Sequence, residues 1–507
     1  MTTAVSPKTL KAQPLVLPEH RDIFCGGKWV KPKSGRYVDV INPGTGESLG
    51  VVADCTADDV NAAVAAAKRA FAEWRNVLPL ERARILRQVA AILRDRAEEL
   101  AMIDAADCGN PFTEMVRDAN VAAMQIEFFA GFVTEMKGSS IPMGPDVVNF
   151  SVREPLGVVA RIIPFNHPFM FCAGKSAAPL AAGNTIVIKP PEQAPLSSLR
   201  LADLVGGLFP PGVFNVIPGG KEVGAAMASH PDVAKVALIG SVPTGRAVAR
   251  AAADTLKKVM LELGGKNALI AFPDADPDEV AQAVVGGMNF TWCGQSCGST
   301  SRAFLHERIY DAVLEKVKTH VAYYKPGIPT DPKTTMGTIV SKVQYDRVMS
   351  YIESAKAAGA PLIAGGKRPA DPALANGFYV EPTVFADVTP QMRIAREEIF
   401  GPVLSIFKWS DEAKMLEEVN AVEYGLTSSI WTNDLGTAHR TAAAVQAGYV
   451  WVNEVSKHFL GAPFGGYKQS GIGREESFEE ILSFTQEKNI HIRLKPSGQG
   501  VKPIRGN

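Results

Sequence analysis

Two cysteines four residues apart, Cys293 and Cys297 in "NFTWCGQSCGST" (289–300), are the first side chains to ask about chemistry. They could clip a metal, close a disulfide, pack as small hydrophobes, or supply a nucleophile as the thiolate. A zinc site would need two further ligands, and the nearest histidine, His306, stands alone. The other cysteines, at 25, 55, 108 and 172, are too sparse for a disulfide framework. Spacing by itself does not choose among the remaining roles.

Further reactive side chains gather where short, β-branched apolar runs end. "GVVARIIPF" leads into "PFNHP" (164–168), "TIVIK" into "KPPEQ" (189–193), and "GVFNVIPGG" into "PGGKEVG" (218–224). "KVALIGS" leads into "GSVPTG" (240–245), and "KVMLELGG" into "ELGGK" (262–266). Glycines, a lysine and two glutamates at such ends suit a dinucleotide. The G-x-G-x-x-G fingerprint is absent, because "GSVPTG" has four residues between its glycines. Taken alone, each glycine loop is a plain turn more often than a phosphate cradle, although the start of a helix does offer N–H groups to phosphate. Lys189 and Glu192 could both reach an adenosine ribose. A carboxylate there accepts from both ribose hydroxyls and repels a 2′-phosphate, which favours NAD over NADP. The plain alternative is a solvated pair at a helix entry.

The elements that must position these groups follow from periodicity. From Asp58 to about Leu100 apolar residues recur at three and four, a helical pattern. From Val158 onward apolar runs alternate with helical stretches, among them Phe169 to Ala182 and "SSLRLADLVGGL". That alternation predicts right-handed βαβ crossovers and a parallel sheet covered on both faces, with ligands beyond the carboxyl ends of its strands. A second α/β region begins near Asn267, where "GFYVEPTVFADV", "PVLSIFKW" and "YGLTSSIWT" are strand-like between helices such as "KVQYDRVMSYIESAKAAG".

At 507 residues the chain has room for two or three cores. Its 53 basic residues balance 53 acidic ones, which gives no sign of a nucleic-acid or acidic-membrane partner. No apolar stretch approaches a membrane span. The N-terminus lacks the basic start and apolar core of a secretory signal and reads as a Pro-containing tail, and "LKPSGQGVKPIRGN" reads as a Gly/Pro-rich one. A soluble, reduced, cytoplasmic protein is the expectation.

Seven motifs in order, "PFNHP", "KPPEQAP", "GSVPTG", "LELGGK", "GQSC", "EEIFGPV" and "PFGGYKQSGIGRE", resemble the aldehyde dehydrogenase superfamily from roughly Phe24 to Ile492. The resemblance implies that Cys297 in "GQSC" attacks an aldehyde carbon and passes through a thiohemiacetal and a thioester. It makes Glu262 the general base, Asn166 an oxyanion donor beside the Cys297 N–H, and Lys175 a group that tunes proton relay. The glutamate points to water rather than coenzyme A as acyl acceptor. Cys293, one helical turn away, is left as a buried hydrophobe, and no metal is implied. NAD is the implied cofactor, held by Ile163, Pro164, Phe165, Lys189 and Glu192 on the early strands. Gly220, Gly240, Ser241, Thr244 and Leu263 follow, and Glu398 and Phe400 reach the nicotinamide ribose. Phe165 stands where the family often has Trp. His167 and Gly174 stand where larger aromatic groups are common. With Phe171, Trp292, His458, Phe459 and Phe464 they imply a wide aromatic mouth for a bulky or aromatic aldehyde.

The fold implied by the resemblance is α/β: a Rossmann-like NAD-binding domain (1–133 and 154–265), a catalytic α/β domain (266–462), and a small β oligomerisation element. That element joins 134–153 to a strand in the C-terminal segment (463–507) and implies a homo-oligomer, dimer or tetramer. The alternative within the class is a semialdehyde dehydrogenase using Lys457 or Lys175 for a substrate carboxylate. Outside it stands a non-catalytic scaffold relative, which would be expected to have lost Cys297, Glu262 or Asn166. By the Glu192 argument, kcat/KM should favour NAD⁺ over NADP⁺ by about tenfold or more, the scale of a like-charge contact. A reversed preference would remove Glu192 from the ribose.

Overall fold

The structure, a computed structural model, describes residues 13–494; the outer parts of both tails, 1–12 and 495–507, lie outside the described residues. The helical stretch after Asp58 is three helices, Ala57–Trp74, Pro79–Asp95 and Ala97–Cys108. The first starts on a capping box, with the Thr56 N–H donating to Asp59 Oδ2 at 2.9 Å. The second opens on a proline, which a first turn tolerates because its missing N–H has no partner there anyway. A fourth helix, Phe112–Gly131, is not foreshadowed by the sequence reading and packs against the second and third.

The βα alternation builds an eight-stranded sheet. Its order is Lys28–Val30, Ile23–Cys25, Phe214–Val216, Thr185–Lys189, Val158–Ile162, Val233–Ile239, Lys258–Glu262 and Gly471–Ile472. The five strands from Phe214–Val216 to Lys258–Glu262 are parallel, and pairing sets Ile162 beside Lys189 and Ile239 beside Glu262. Their carboxyl ends therefore share one edge. Val158–Ile162 lies between the strand that follows it and Val233–Ile239, so strand order reverses there, which is where such sheets open a crevice.

A second, seven-stranded sheet runs Leu362–Ala364, Thr383–Phe385, Val403–Trp409, Arg302–His306, Ala268–Ala271, Thr427–Trp431 and Tyr449–Val452. Only the first of these runs antiparallel to its neighbour. Of "GFYVEPTVFADV" only Thr383–Phe385 is strand. The predicted helix from Phe169 to Ala182 is two short ones, Pro168–Gly174 and Ala177–Ala181, with Lys175 and Ser176 at the break. Val147–Pro155 pairs antiparallel with Thr485–Arg493 through nine residue pairs, with Ser140–Ile141 on its other side. Two apolar clusters cover the eight-stranded sheet and a third surrounds the seven-stranded one. Among the described residues no helix is long and apolar enough to cross a membrane.

Asn184 ties the C-terminal segment to the first sheet. Its Oδ1 accepts from Leu156 and Gly157 N–H at 2.7 and 3.0 Å, and its Nδ2 donates to the Pro179 and Phe484 carbonyls at 3.1 and 3.0 Å. Four hydrogen bonds, three of them buried, would be lost on truncation, so Asn184→Ala should destabilise by about 3 kcal/mol or more, read as a lowered midpoint of chemical unfolding.

Candidate active site

The first sheet offers its carboxyl edge, and the second meets it with the loops that precede its strands. Three such loops matter: 263–267, 293–301 and 398–402. Asn267 fastens the first of these to the second, donating from Nδ2 to the carbonyls of Cys297 at 2.7 Å and Ser299 at 2.9 Å, while its Oδ1 accepts from Thr427 N–H at 3.0 Å.

The cysteine segment is not helical, contrary to expectation. A single 3-10 turn, Phe290–Trp292, is flanked by left-handed residues at Asn289 and Cys293, and Gly294 has φ +64°. A side chain at Gly294 would strike the Gly401 carbonyl, so glycine alone fits there. The left-handed turn points the two cysteines into different surroundings. Cys293 is fully buried with Sγ 3.7 Å from the Gly337 carbonyl, and burial pushes its thiol far up. Cys297 is half-buried. Burial, then the carboxylates of Glu398 and Glu262, push its thiol up to about 12, against the backbone N–H groups of Cys297 and Gly298. A second group must therefore take its proton.

Glu262 ends its strand buried, with neither carboxylate oxygen hydrogen-bonded to a described residue. Burial first, then Glu475, raise its pKa well above the usual carboxylate range, opposed by Lys175 and Arg474. A protein seldom leaves both oxygens of a buried carboxylate without partners. Lys175 is buried, its Nζ 3.0 Å from Glu475 and 3.5 Å from Glu476, and these carboxylates raise its pKa against burial. Arg161 Nη2 reaches Glu475 at 3.4 Å from the middle of its strand. Asn166 is buried, and its carbonyl is held by Asn110 Nδ2 at 2.6 Å.

The sequence reading did not single out Asn110, Arg161, Glu475 or Glu476. Arg161 had a visible signal, one charge inside an otherwise apolar strand. Glu475 ends "GIGRE" and Glu476 follows it, but only the bridge between Phe464 and Glu475 turns them inward.

Along the shared edge, Ile163 N–H donates to the Lys189 carbonyl at 3.0 Å and Gly240 N–H to the Glu262 carbonyl at 2.9 Å. Ile163 is buried, and Pro164 and Phe165 are half-buried beyond it. Lys189 is buried with one bond, to the Pro190 carbonyl at 3.1 Å, and burial lowers its pKa to about 8 against the pull of Glu192. Glu192 is exposed, and a Cβ on Gly220 would come within 2.9 Å of its Oε2. Ser241 caps Val242–Ala253 and shares a hydroxyl bond with Thr244 at 2.9 Å, both exposed. Leu263 packs on Gly245, where a Cβ would lie 2.6 Å from it.

Glu398 Oε1 accepts from Gly265 N–H at 3.0 Å, and its pKa is raised to about 7 by burial. Phe400, at φ +57°, sets its ring edge-on to Phe165 at 5.6 Å, and its carbonyl is held by Gln344 at 2.9 Å. Glycines where side chains would collide, a lysine with unused N–H groups and two carboxylates on one edge fit a dinucleotide.

On the other side of Asn166, His167 sits edge-on to Trp292 at 4.7 Å and Phe171 at 5.6 Å. His458 and Phe464 pack at 4.6 Å, and Phe459 is exposed beside them. The space expected at Gly174 is not open: the buried Gln125 carboxamide fills it, and a Cβ there would collide with its oxygen. Neither lysine considered for a substrate carboxylate is free, since Lys457 is paired with Glu454 and Lys175 with the two glutamates.

The family model described as "Aldehyde dehydrogenase family" matches residues 29–490. Aldehyde dehydrogenase tropH of Talaromyces stipitatus is 51% identical over 486 residues, 94% of each chain. The NAD⁺ complex of an aldehyde dehydrogenase from Bacillus cereus superposes with TM-score 0.91 at 39% identity, covering 94% of this chain and 98% of that one. An indole-3-acetaldehyde dehydrogenase from P. syringae, with NAD⁺ and IAA bound, gives TM-score 0.92 at 36% identity over 95% and 98%.

The different surroundings of the two cysteines have a direct readout. Brief alkylation of the folded protein should modify half-buried Cys297 and Cys25 and spare buried Cys293, Cys55, Cys108 and Cys172. Peptide mass mapping would detect the opposite pattern.

Proposed function

The chain belongs to the aldehyde dehydrogenase family, and from that premise we propose that it oxidises a bulky or aromatic aldehyde to the acid through a thioester on Cys297. It is an NAD-dependent aldehyde dehydrogenase. The observation that carries the mechanism is the buried, unpartnered carboxylate of Glu262 close enough to Cys297 to perturb its thiol.

Cys297 must lose its proton before it can attack, and Glu262 is the neighbouring group able to take it. Attack on the aldehyde carbon puts negative charge on oxygen, which the Asn166 amide and the Cys297 N–H stabilise. NAD, when bound, supplies the hydride acceptor. Once the Cys297 proton has passed from Glu262 to solvent, Glu262 takes a proton from the water that attacks the thioester, and the C–S bond breaks to release the acid and the Cys297 thiolate. Lys175, held by Glu475 and Glu476, keeps a positive charge near Glu262 and so moderates how far its pKa rises.

NAD would lie along the first sheet's edge. Ile163, Pro164 and Phe165 border it, Lys189 and Glu192 take the adenosine ribose, and the Gly220 and Gly240–Thr244 turns face the diphosphate. Leu263, Glu398 and Phe400 complete the nicotinamide end. We propose one domain from 1–133 with 154–265 and another from 266–462; Ser140–Ile141, Val147–Pro155 and Thr485–Arg493 form the small sheet, and Gly471–Ile472 returns to the first sheet. The edge strand Thr485–Arg493, with exposed Ile492 and Val148 near it, supports pairing with a second copy in a dimer or tetramer. Six free cysteines support a reducing, cytoplasmic setting.

For the substrate, His167, Phe171, Trp292, His458 and Phe464 form an aromatic wall. The indole substrate in the P. syringae enzyme's name supports an aromatic ring here, and both candidate lysines for a substrate carboxylate are already paired.

Glu262→Gln keeps size and removes basicity. Steady-state turnover should fall by about a hundredfold or more. Because the Cys297 thiol is held protonated, the first-turnover burst of NADH seen by rapid mixing should slow as well. Burial raises the Glu262 pKa, so the base is protonated and idle at low pH. Wild-type activity should climb as pH rises through that value, and the variant should lose this limb. Wild-type rates in the variant would remove Glu262 from catalysis.

A further inference from the structure

We propose that His167, clamped by Asp118, selects aldehydes whose aromatic ring carries a hydroxyl group, through the imidazole nitrogen that Asp118 leaves free. The inference rests on the aromatic-aldehyde reading and deepens it. His167 Nδ1 and Asp118 Oδ2 are 2.6 Å apart, and both side chains are buried. Nε2 makes no hydrogen bond to a described residue. The ring stands edge-on to Trp292 at 4.7 Å and Phe171 at 5.6 Å, so an aryl group reaching it meets aromatic neighbours.

Packing alone does not explain this pair. A phenyl ring would fill the same wall without burying an imidazole and a carboxylate, and buried polar groups are unfavourable unless their bonding is complete. Here Nε2 is left without a bond to a described residue, and the neighbouring indole N–H of Trp292 is buried without a partner. With Nδ1–H donated to Asp118, Nε2 accepts in the neutral ring and donates when the ring holds both protons. A phenolic hydroxyl serves either state. Asp118, Asp104 and Glu114 favour the protonated ring, although burial opposes it. The protonated ring with Asp118 carries no net charge, so the pair suits a hydroxyl better than a full carboxylate. The second histidine of the mouth, His458, also meets a carboxylate, Glu476, at 3.1 Å, but its side chain is 40% exposed and water competes for it. The selecting group is therefore His167.

The test compares kcat/KM for ortho-, meta- and para-hydroxybenzaldehyde with the methylbenzaldehydes of the same pattern, which match them in size. At one ring position at least, the wild type should prefer the hydroxyl by about tenfold or more, the scale of one buried hydrogen bond lost with its partner left unpaired. His167→Phe should erase that preference. It also leaves Asp118 alone in the interior, so the double variant Asp118→Asn, His167→Phe serves if the single one is unstable, with the same loss expected. Equal rates for hydroxyl and methyl partners at every position, or a preference that survives both variants, would overturn the proposal. Oxidation of aliphatic aldehydes alone would overturn the aromatic reading and this one together, whereas brisk, unselective oxidation of both aryl sets would overturn only this one.

Discussion

The site depends on one short crossing, Glu262 to Ala268, which carries the chain from the first sheet to the second. Glu262 is the last residue of a strand, and Asn267 immediately precedes the next. Between them Gly264 and Gly265 lie so close to Glu398 and to the Cys297 carbonyl that no side chain fits at either position. Gly265 N–H holds the Glu398 carboxylate, and Asn267 holds the Cys297 loop by its carbonyls. The residues proposed as base, nucleophile and nicotinamide-end carboxylate are thus held together by one short stretch of backbone. Glu262 is set by strand register, and Cys297 and Glu398 by hydrogen bonds from the crossing to their loops, a means of fixing the relative positions that catalysis requires.

Electrostatics around this crossing is dominated by carboxylates. Glu262, Glu475, Glu476 and Glu480 are buried near Lys175, Lys235, Arg161 and Arg474. Glu476 lies beside both Lys175 and His458, and its pKa falls to about 2 despite burial, while burial raises that of Glu480 to about 7. Glu262, with no hydrogen bond, is left to hold a proton. The surrounding charges thereby sort chemically identical side chains into a permanent anion, which orients Lys175, and a group poised to gain and lose protons.

The two cysteines illustrate how backbone conformation separates roles that spacing leaves open. Had the segment been a helix, positions four apart would share a face. The left-handed residues at Asn289, Cys293 and Gly294 turn the chain instead, burying one thiol and leaving the other half-open beside two carboxylates. The same contrast holds at Gly174, where a missing side chain suggested space and Gln125 from the helix Phe112–Gly131 fills it.

By itself the sequence determined the alternation of strand and helix, and with it the shared edge on which Lys189, Ile239 and Glu262 end, because apolar runs bounded by glycine and proline are local signals. Motif order identified the family and the candidate nucleophile and base. Local pattern did not reveal that the second sheet contributes residues preceding its strands, that Lys258–Glu262 is flanked by Gly471–Ile472, or that Lys175 sits at a helix break. The partners of the catalytic groups were equally hidden. Asp118 lies 49 residues from His167 and Glu476 lies 301 from Lys175, separations at which no periodicity carries information. Those pairings were decided by tertiary packing alone, since a buried charge finds its partner across the fold and not along the chain.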